Sequence, residues 1–529
     1  MVNCVLGVLL AACALTPSAP AATTAPVTVE VSITVDGRTQ TVDLPLDLTV
    51  REAIAQAGIS LNDLDRVTPP AYTRLTSGVA IVVVRVTESF ETDQAVLPFE
   101  SQLVKNEGLP EGERRLLQAG ANGAEEITYR TVFEDGVQVS RSVVKRAVLT
   151  PPTPEIIMVG SQASFTVVPL SGSLVYLNGG NAWAMRNNSG QRTPLTISGD
   201  LEGRVFDLSP DGRWLLFTRV VTDTAAADFN TLWVQPSELG AAAVELPVTS
   251  ALYAEWSPTQ TNVIAYSTAE KTQRAPGWQA NNDLWLLSWA ENRRTKQMEF
   301  TPTLLLDKSA GGVYGWWGTG FAFSPDGLDM AYARTDSIGV VDLQSFTAVQ
   351  LIDFPAYNTH SDWAWFPALR WGADGRFLYS VTHGAPVALE APEDSPAFNL
   401  TVLSATGGLR ADLVPRAGMF ANPLPAPLNY SLGTAGLFRL AYLQAREPDN
   451  SAFSRYRLGV MDRDGSNARL IFPPEDQTGL AANSSFAWSP EGRRLAVVYD
   501  GNLWLVDADS GVSQQLTGDG LTAKVVWGK

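Results

Sequence analysis

The chain repeats itself. The phrase FDLSPDGRWLLFTR begins at Phe206, AEWSPTQTNVIAYST at Ala254, FAFSPDGLDMAYAR at Phe321, LRWGADGRFLYSVT at Leu369 and FAWSPEGRRLAVVYD at Phe486. Each copy sets an aromatic residue before a small polar turn and follows the turn with a run of β-formers. Recurrence at roughly 40–65 residue intervals belongs to architectures in which one supersecondary unit stacks on the next to cover its apolar face. The repeat therefore predicts a closed array of small sheets, a β-propeller.

Composition narrows the rest. Gly 43, Pro 33 and 15 Trp in 529 residues suit a turn-rich β protein, and the length predicts more than one domain. The formal net charge of -17 argues against a nucleic-acid partner, because phosphate binding needs clustered Lys and Arg. It argues equally against docking on anionic lipid by charge. The two cysteines, Cys4 and Cys13, both sit at the start, so the remainder can hold neither a disulfide framework nor a cysteine metal site. His360 and His383 are the only histidines, and neither a metal nor a cofactor is expected.

Val5 to Ala12 is an apolar run too short to span a bilayer. It has the length of a signal-peptide h-region, although no Lys or Arg precedes it. Its ending, Leu10-Ala11-Ala12-Cys13, resembles the bacterial lipobox. That resemblance implies a signal peptide over residues 1–12 and Cys13 as a lipidated first residue. The stretch 13–26, rich in Ala, Thr and Pro, is expected to be a disordered tether.

VTVEVSIT from Val27 alternates as a strand does, Asp36-Gly37 is a hairpin signal, Thr49 can cap a helix that stops at Gly58, and VAIVVVRV from Val79 is a last strand. The β-β-α-β order of residues 27–87 resembles the ubiquitin-like β-grasp module of bacterial wall-associated proteins. The next stretch carries Gly112, Gly120, Gly123, Gly136 and Gly160, with GER at Gly112, Tyr129, EDG at Glu134, SR at Ser140 and a closing EIIMVG. It resembles the five-glycine domain of bacterial cell-wall proteins and is assigned residues 88–160. ITYRTVF and VQVSRSVVKRAVL alternate around Asp135-Gly136 as an exposed, thin hairpin, and Gly120 and Gly123 are expected at turns with positive φ. The family resemblance implies contact with N-acetylglucosamine polymers. Tyr129 and Phe133, four apart on one strand, could stack on a sugar or pack within the hairpin.

Residues 161–529 hold the repeats. Their usual turn, Ser-Pro-Asp-Gly at Ser209 and Ser324, resembles that of the TolB-type, WD-repeat-like propeller. A worn copy begins at Tyr430, and a final strand at Trp527 should pair with the strand near Val175, which would close about seven blades. The fold expected is thus mainly β: a propeller of about seven blades preceded by a small β-grasp (α+β) module and an elongated all-β five-glycine module.

On such a propeller the face opposite the Asp-Gly turns carries the long connections. Here they hold Trp278, then Tyr314, Trp316 and Trp317, then Tyr357, His360, Asp362, Trp363 and Trp365. Exposed Trp with Asp and Asn between them is a common way to hold sugars and peptides. These residues are the candidate ligand mouth, and the alternative is that they plug the funnel. No Gly-x-Ser-x-Gly elbow accompanies His360 and Asp362, and no catalytic residue is assigned. Glu255 and Asp362 are the carboxylates placed near the funnel.

The expectation is an extracytoplasmic, lipid-anchored binding protein that is not an enzyme. Its stalk would contact cell-wall glycan, and its propeller would hold a sugar, a peptide or a protein partner. The rivals are a propeller glycosidase or lyase, which needs paired inward carboxylates, and a structural scaffold of an envelope complex.

Overall fold

The computed structural model describes residues 27–529 apart from 107–108, 110–111, 161–164, 224, 296 and 429–436. The expected signal peptide, Cys13, the tether and the repeat start at Tyr430 lie outside the described residues. The described residues gather into two compact units, one within Met1–Ser101 and Ala119–Glu155, the other within Gln102–Gln118 and Ile156–Lys529.

In the first unit, alternation buries Val29, Val31 and Ile33 along β1 (Thr28–Val35). Asp36 and Gly37, at φ 51° and 70°, turn the chain into β2 (Arg38–Pro45). Thr49 caps α1 (Val50–Gln56) in a reciprocal capping box: its backbone N–H donates to Glu52 Oε2 at 2.8 Å and its hydroxyl accepts from the Glu52 N–H. The strand β3 (Arg66–Thr68), without alternation to announce it, follows, and β4 (Ala80–Val84) runs parallel to β1. The sheet order is β2-β1-β4-β3, with Val50, Ala53 and Ile54 of the helix buried in its core.

Residues 88–160 contribute to both units. The long strands β5 (Val86–Leu97), β8 (Gly123–Glu134) and β9 (Val137–Thr150) form one sheet in the first unit, and almost every residue of β9 is exposed. The strands β6 (Ser101–Asn106), β7 (Arg114–Gln118) and β10 (Glu155–Gly160) form another, in the order β6-β10-β7. In the second unit Leu109 and Met158 share a core with Leu174, Tyr176 and Trp183. The expectation of positive φ at Gly120 and Gly123 is corrected: neither is in that region. A Cβ on Gly120 would lie 2.3 Å from the Phe99 ring, and one on Gly123 2.3 Å from Thr150 O, so close approach excludes a side chain there.

Among the described residues, the rest of the second unit is seven antiparallel sheets. The first holds β11 (Pro169–Asn178), β12 (Asn181–Asn188) and β13 (Arg192–Pro194). The second holds β14 (Leu201–Leu208), β15 (Trp214–Val220), β16 (Asn230–Pro236) and β17 (Val244–Thr249). The third holds β18 (Ala251–Trp256), β19 (Val263–Lys271), a short β20 (Trp278–Ala280), β21 (Leu284–Glu291) and β22 (Met298–Leu306). The fourth holds β23 (Gly320–Phe323), β24 (Asp329–Ala333), β25 (Ser337–Asp342) and β26 (Thr347–Asp353). The fifth holds β27 (Leu369–Trp371), β28 (Phe377–His383), β29 (Phe398–Ser404) and β30 (Arg410–Val414). The sixth holds β31 (Leu424–Pro425), β32 (Arg439–Ala445), β33 (Tyr456–Asp462) and β34 (Arg469–Phe472). The seventh holds β35 (Phe486–Trp488), β36 (Arg494–Tyr499), β37 (Asn502–Asp507) and β38 (Ser513–Gln515). The last strand, β39 (Thr522–Gly528), returns to the first sheet and pairs with β11, Val526 opposite Val175 and Trp527 opposite Leu174.

The repeat phrase has a physical reason. Ser209 O accepts the Gly212 N–H at 2.8 Å, Ser209 Oγ accepts the Trp214 N–H at 3.0 Å, and Gly212 supplies φ 68°. Ser324 and Gly327 repeat this turn. The aromatic before the turn locks neighbours together: the indole N–H of Trp371 donates to Ala322 O of the preceding sheet at 2.9 Å, and that of Trp488 to Leu424 O at 2.8 Å.

Candidate functional site

A cleft of about 310 Å³ opens in the second unit. It is lined by six residues of the expected mouth: Tyr314, Trp316, Trp317, Tyr357, Asp362 and Trp363. Arg274, Asn358, Thr359 and Ser361 complete the polar part of its wall. Three connections bring these side chains together, from β19 to β20, β22 to β23, and β26 to β27.

The middle connection is held by a side chain that ordinary loop reading passes over. Asn282 is buried, with φ 52°, and its amide donates to Gly315 O at 2.8 Å while its carbonyl accepts the Thr319 hydroxyl at 2.8 Å. This fixes the single turn Gly315–Trp317, with Tyr314 left-handed before it at φ 52°. Beside it Asp283 is spent on the Thr268 N–H, the Thr268 hydroxyl and the Trp285 indole. In the third connection the Asn358 N–H donates to Glu393 O at 2.8 Å and the Thr359 hydroxyl to Trp363 O at 2.5 Å.

The cleft wall is aromatic with sparse charge. Among its lining residues only Arg274 and Asp362 are charged. Burial, with Asp394 adding to it, raises the Tyr357 phenol, which stays a hydrogen-bond donor at neutral pH. The Trp316 indole N–H is buried and has no acceptor among the described residues. An unmet buried donor costs about 1–3 kcal/mol.

Three expected mouth residues do not line the cleft. Trp278 packs edge-on against Trp317, ring centres 5.9 Å apart, and so backs the wall. Trp365 is a correction: it is 2% exposed, its indole donates to Met419 O at 2.9 Å and its ring packs on Phe398 at 4.8 Å, all marks of core. His360 is exposed and left-handed at φ 50°, with Nε2 2.9 Å from Asp394 Oδ1. His383, buried, has its ring nitrogens 2.7 Å from the carbonyl oxygens of Pro355 and Ser395, tying two connections together behind Tyr357.

The two foreseen carboxylates part company as well. Asp362 lines the cleft and Glu255 does not. Glu255 Oε2 accepts the Tyr253 hydroxyl at 2.5 Å and the Phe323 N–H at 3.1 Å. Its neighbour is Asp207 on β14, which sequence reasoning missed. Burial, then the repulsion of Glu255, pushes the Asp207 carboxyl up to about 7, against the pull of Arg370 and two backbone N–H groups. Glu255 is likewise raised by burial, opposed by Tyr253, Arg370 and Phe323. Asp207, Glu255 and Arg370 all stand two residues before the first residue of their turn phrase, Ser209, Ser257 and Gly372. Alignment of the repeats would have found them.

On the five-glycine strands, Tyr129 and Phe133 both lie on β8, the middle strand, half-buried. The Arg141 guanidinium covers the Tyr129 ring at 3.7 Å, so that face is not open to a sugar. Among the described residues no cluster of His, Cys, Asp and Glu could hold a metal.

Comparison with known proteins adds three family matches: the G5 domain over residues 88–162, the G5-linked ubiquitin-like domain over residues 31–71, and the dipeptidyl peptidase IV N-terminal region over residues 457–529. Resuscitation-promoting factor RpfB of Mycolicibacterium smegmatis is 24% identical over 159 residues, 29% of this chain and 44% of the relative. Resuscitation-promoting factor Rpf2 of Corynebacterium glutamicum is 27% identical over 143 residues, 27% of this chain and 37% of the relative. The chain thus spans less than half the length of these relatives. Among solved structures, one assigned as TolB from Agrobacterium tumefaciens is 16% identical with a TM-score of 0.35, covering 62% of this chain and 96% of the other. The G5 domain of an IgA1 protease is 26% identical with a TM-score of 0.12, covering 15% of this chain and 94% of the other.

Proposed function

We propose that this chain is an extracytoplasmic binding protein of the cell envelope. Its N-terminal modules, bounded at residues 27–87 and 88–160, associate with wall glycan, and its propeller, residues 161–529, holds a sugar, peptide or protein partner in the aromatic cleft. In this reading the seven sheets form one ring closed where β39 joins β11, and Cys13 carries a lipid that keeps the protein at the membrane.

The observation that carries the reading is the cleft: three tryptophans and two tyrosines line it, with one Arg and one Asp as its only charges. Its volume sits at the small end of ligand pockets, about 300–1,000 Å³, which suits one sugar ring or one peptide side chain. The G5 match supports association with cell-wall glycan. Binding is favoured over cleavage because the lining residues include a single carboxylate, Asp362, where two-carboxylate hydrolysis needs a pair.

The test is retention on purified peptidoglycan together with tryptophan fluorescence during titration with its soluble fragments, sugar and peptide separately. The intact chain should be retained and quenched, and Trp316→Ala with Trp363→Ala should lose the quenching. A chain that neither sediments with the wall nor responds to any fragment refutes the reading. The anchor is checked separately: Cys13→Ala should move the protein from the membrane to the soluble fraction.

A further inference from the structure

A second cleft, of about 330 Å³, lies within the second unit where the strands β6, β7 and β10 meet the first and second propeller sheets. Its wall differs in kind from the aromatic one. The apolar part is aliphatic, supplied among others by Ile156, Leu195, Ile197 and Leu239. One charged side chain lines it, Arg219 of β15, in a chain whose formal net charge is -17.

Arg219 is placed as a recognition group is placed. Its guanidinium carbon stands 4.3 Å from the centre of the Trp233 ring, which fixes the plane of the fork. Its Nε is buried and turned to Asp200, so contact with a ligand falls to the two terminal nitrogens, which make no hydrogen bond among the described residues. Its one ion-pair contact among the described residues is a loose 3.7 Å to Asp200 Oδ1, an oxygen that already accepts the Ser198 hydroxyl. A stacked, under-used guanidinium offers two parallel donors, the geometry that a carboxylate takes up bidentately. Gln102, in the same wall, brings an amide with no side-chain hydrogen bond among the described residues.

We propose that this cleft binds a small carboxylate that carries a short aliphatic group next to an amide, the chemistry of the C-terminal end of a peptide finishing in an aliphatic residue. The carboxylate pairs with Arg219, the amide with Gln102, and the aliphatic group lies against Leu195 and Ile197. The site is independent of the aromatic cleft, since the two share no lining residue.

The probes are N-acetylvaline and its neutral analogue N-acetylvalinamide, followed by calorimetry and ligand-observed NMR on the full chain. The acid should bind, weaken as salt rises, and bind roughly tenfold or more tighter than the amide, as a charge-assisted pair implies. Arg219→Met keeps an apolar stem on Trp233 and should abolish the preference for the acid; Trp316→Ala should leave it intact. Equal binding of acid and amide by the unaltered chain overturns the proposal without any variant. So does no binding of the acid at millimolar concentration, an Arg219→Met chain of unchanged thermal midpoint that still prefers the acid, or equal displacement of the acid by inorganic sulfate, which marks a general anion contact.

Discussion

Replacing Asp207 by Asn should stabilise the second unit, and only above a certain pH. Asp207 titrates near 7 in the fold because burial and the nearby Glu255 oppose its charge, whereas its ordinary value is 3.8. The sign follows from which state loses the proton first. Below 3.8 both the folded and unfolded chains keep it, and the group contributes nothing. Between 3.8 and 7 the unfolded chain gives it up and the fold does not, so stability falls as pH rises. Above 7 the penalty is complete. The separation corresponds to about 4 kcal/mol, at about 1.4 kcal/mol for each pH unit.

Asn carries no such penalty, and its carbonyl can still accept the Leu208 N–H that now goes to Asp207 Oδ1 at 2.9 Å. The two proteins should therefore unfold alike near pH 4 and diverge steadily to about pH 8, the Asn form ahead by up to about 4 kcal/mol. Urea unfolding followed by tryptophan fluorescence at several pH values reads the difference directly, since Trp256 and Trp488 are buried in the folded second unit and become exposed when it unfolds. A difference that stays flat from pH 4 to 8, or an Asn form less stable throughout, would show that the fold does not hold this carboxyl against ionisation.

Trp365→Ala, in contrast to the cleft variants, should cost about 3–5 kcal/mol of stability, the range for deleting a buried aromatic, and it also leaves Met419 O without its donor. A thermal midpoint equal to that of Trp316→Ala would refute its place in the core. Gly212→Ala should destabilise by more than about 1 kcal/mol, because φ is 68° and the new Cβ would meet Lys529 O at 2.4 Å; Gly277→Ala, at φ 95° with nothing within 4 Å, carries the strain without the clash and should cost less. Urea midpoints of the two variants check the order.

The repeat made the second unit legible because its signal is chemical as well as periodic. A closing Gly and an aromatic recur at fixed offsets where a turn closes on the carbonyl of its first residue, as at Ser209, Ser324, Gly372 and Ser489, and where an indole reaches the sheet before it, as those of Trp371 and Trp488 do while that of Trp256 does not. The capped helix and the Asp-Gly hairpins were legible for the same reason, a few residues with one local job. What stayed hidden depends on distance in space. β3, three residues long, has no room to alternate. Gly120 and Gly123 suggest positive φ on sequence alone, whereas the constraint is the Phe99 ring and the Thr150 carbonyl. In the segment YNTHSDWAWF, Trp363 faces the cleft and Trp365 the core, although both were expected at the mouth. Alternate residues of an extended strand share a face, but this segment is an irregular connection, where the rule has no hold.

Asp207, Glu255 and Arg370 join these two lessons. They occupy one column of the repeat, where the fourth and seventh sheets carry Ala322 and Ala487. A column of first-strand positions facing like neighbours would be expected to stay small or apolar, since a lone charge there is expensive to desolvate. Two acids and one base in the same column offset one another in part: Arg370 lowers both carboxyls, while burial and the acids' mutual repulsion raise Asp207 further than Arg370 can restore. Among the described residues Arg370 has no carboxylate within ion-pair distance, and it donates instead to Leu369 O at 2.8 Å. The trio therefore acts through field rather than contact. Removing Arg370 charge by Arg370→Met should shift the Asp207 transition to still higher pH, and Asp207→Asn should relieve most of the damage that the Arg370 variant causes.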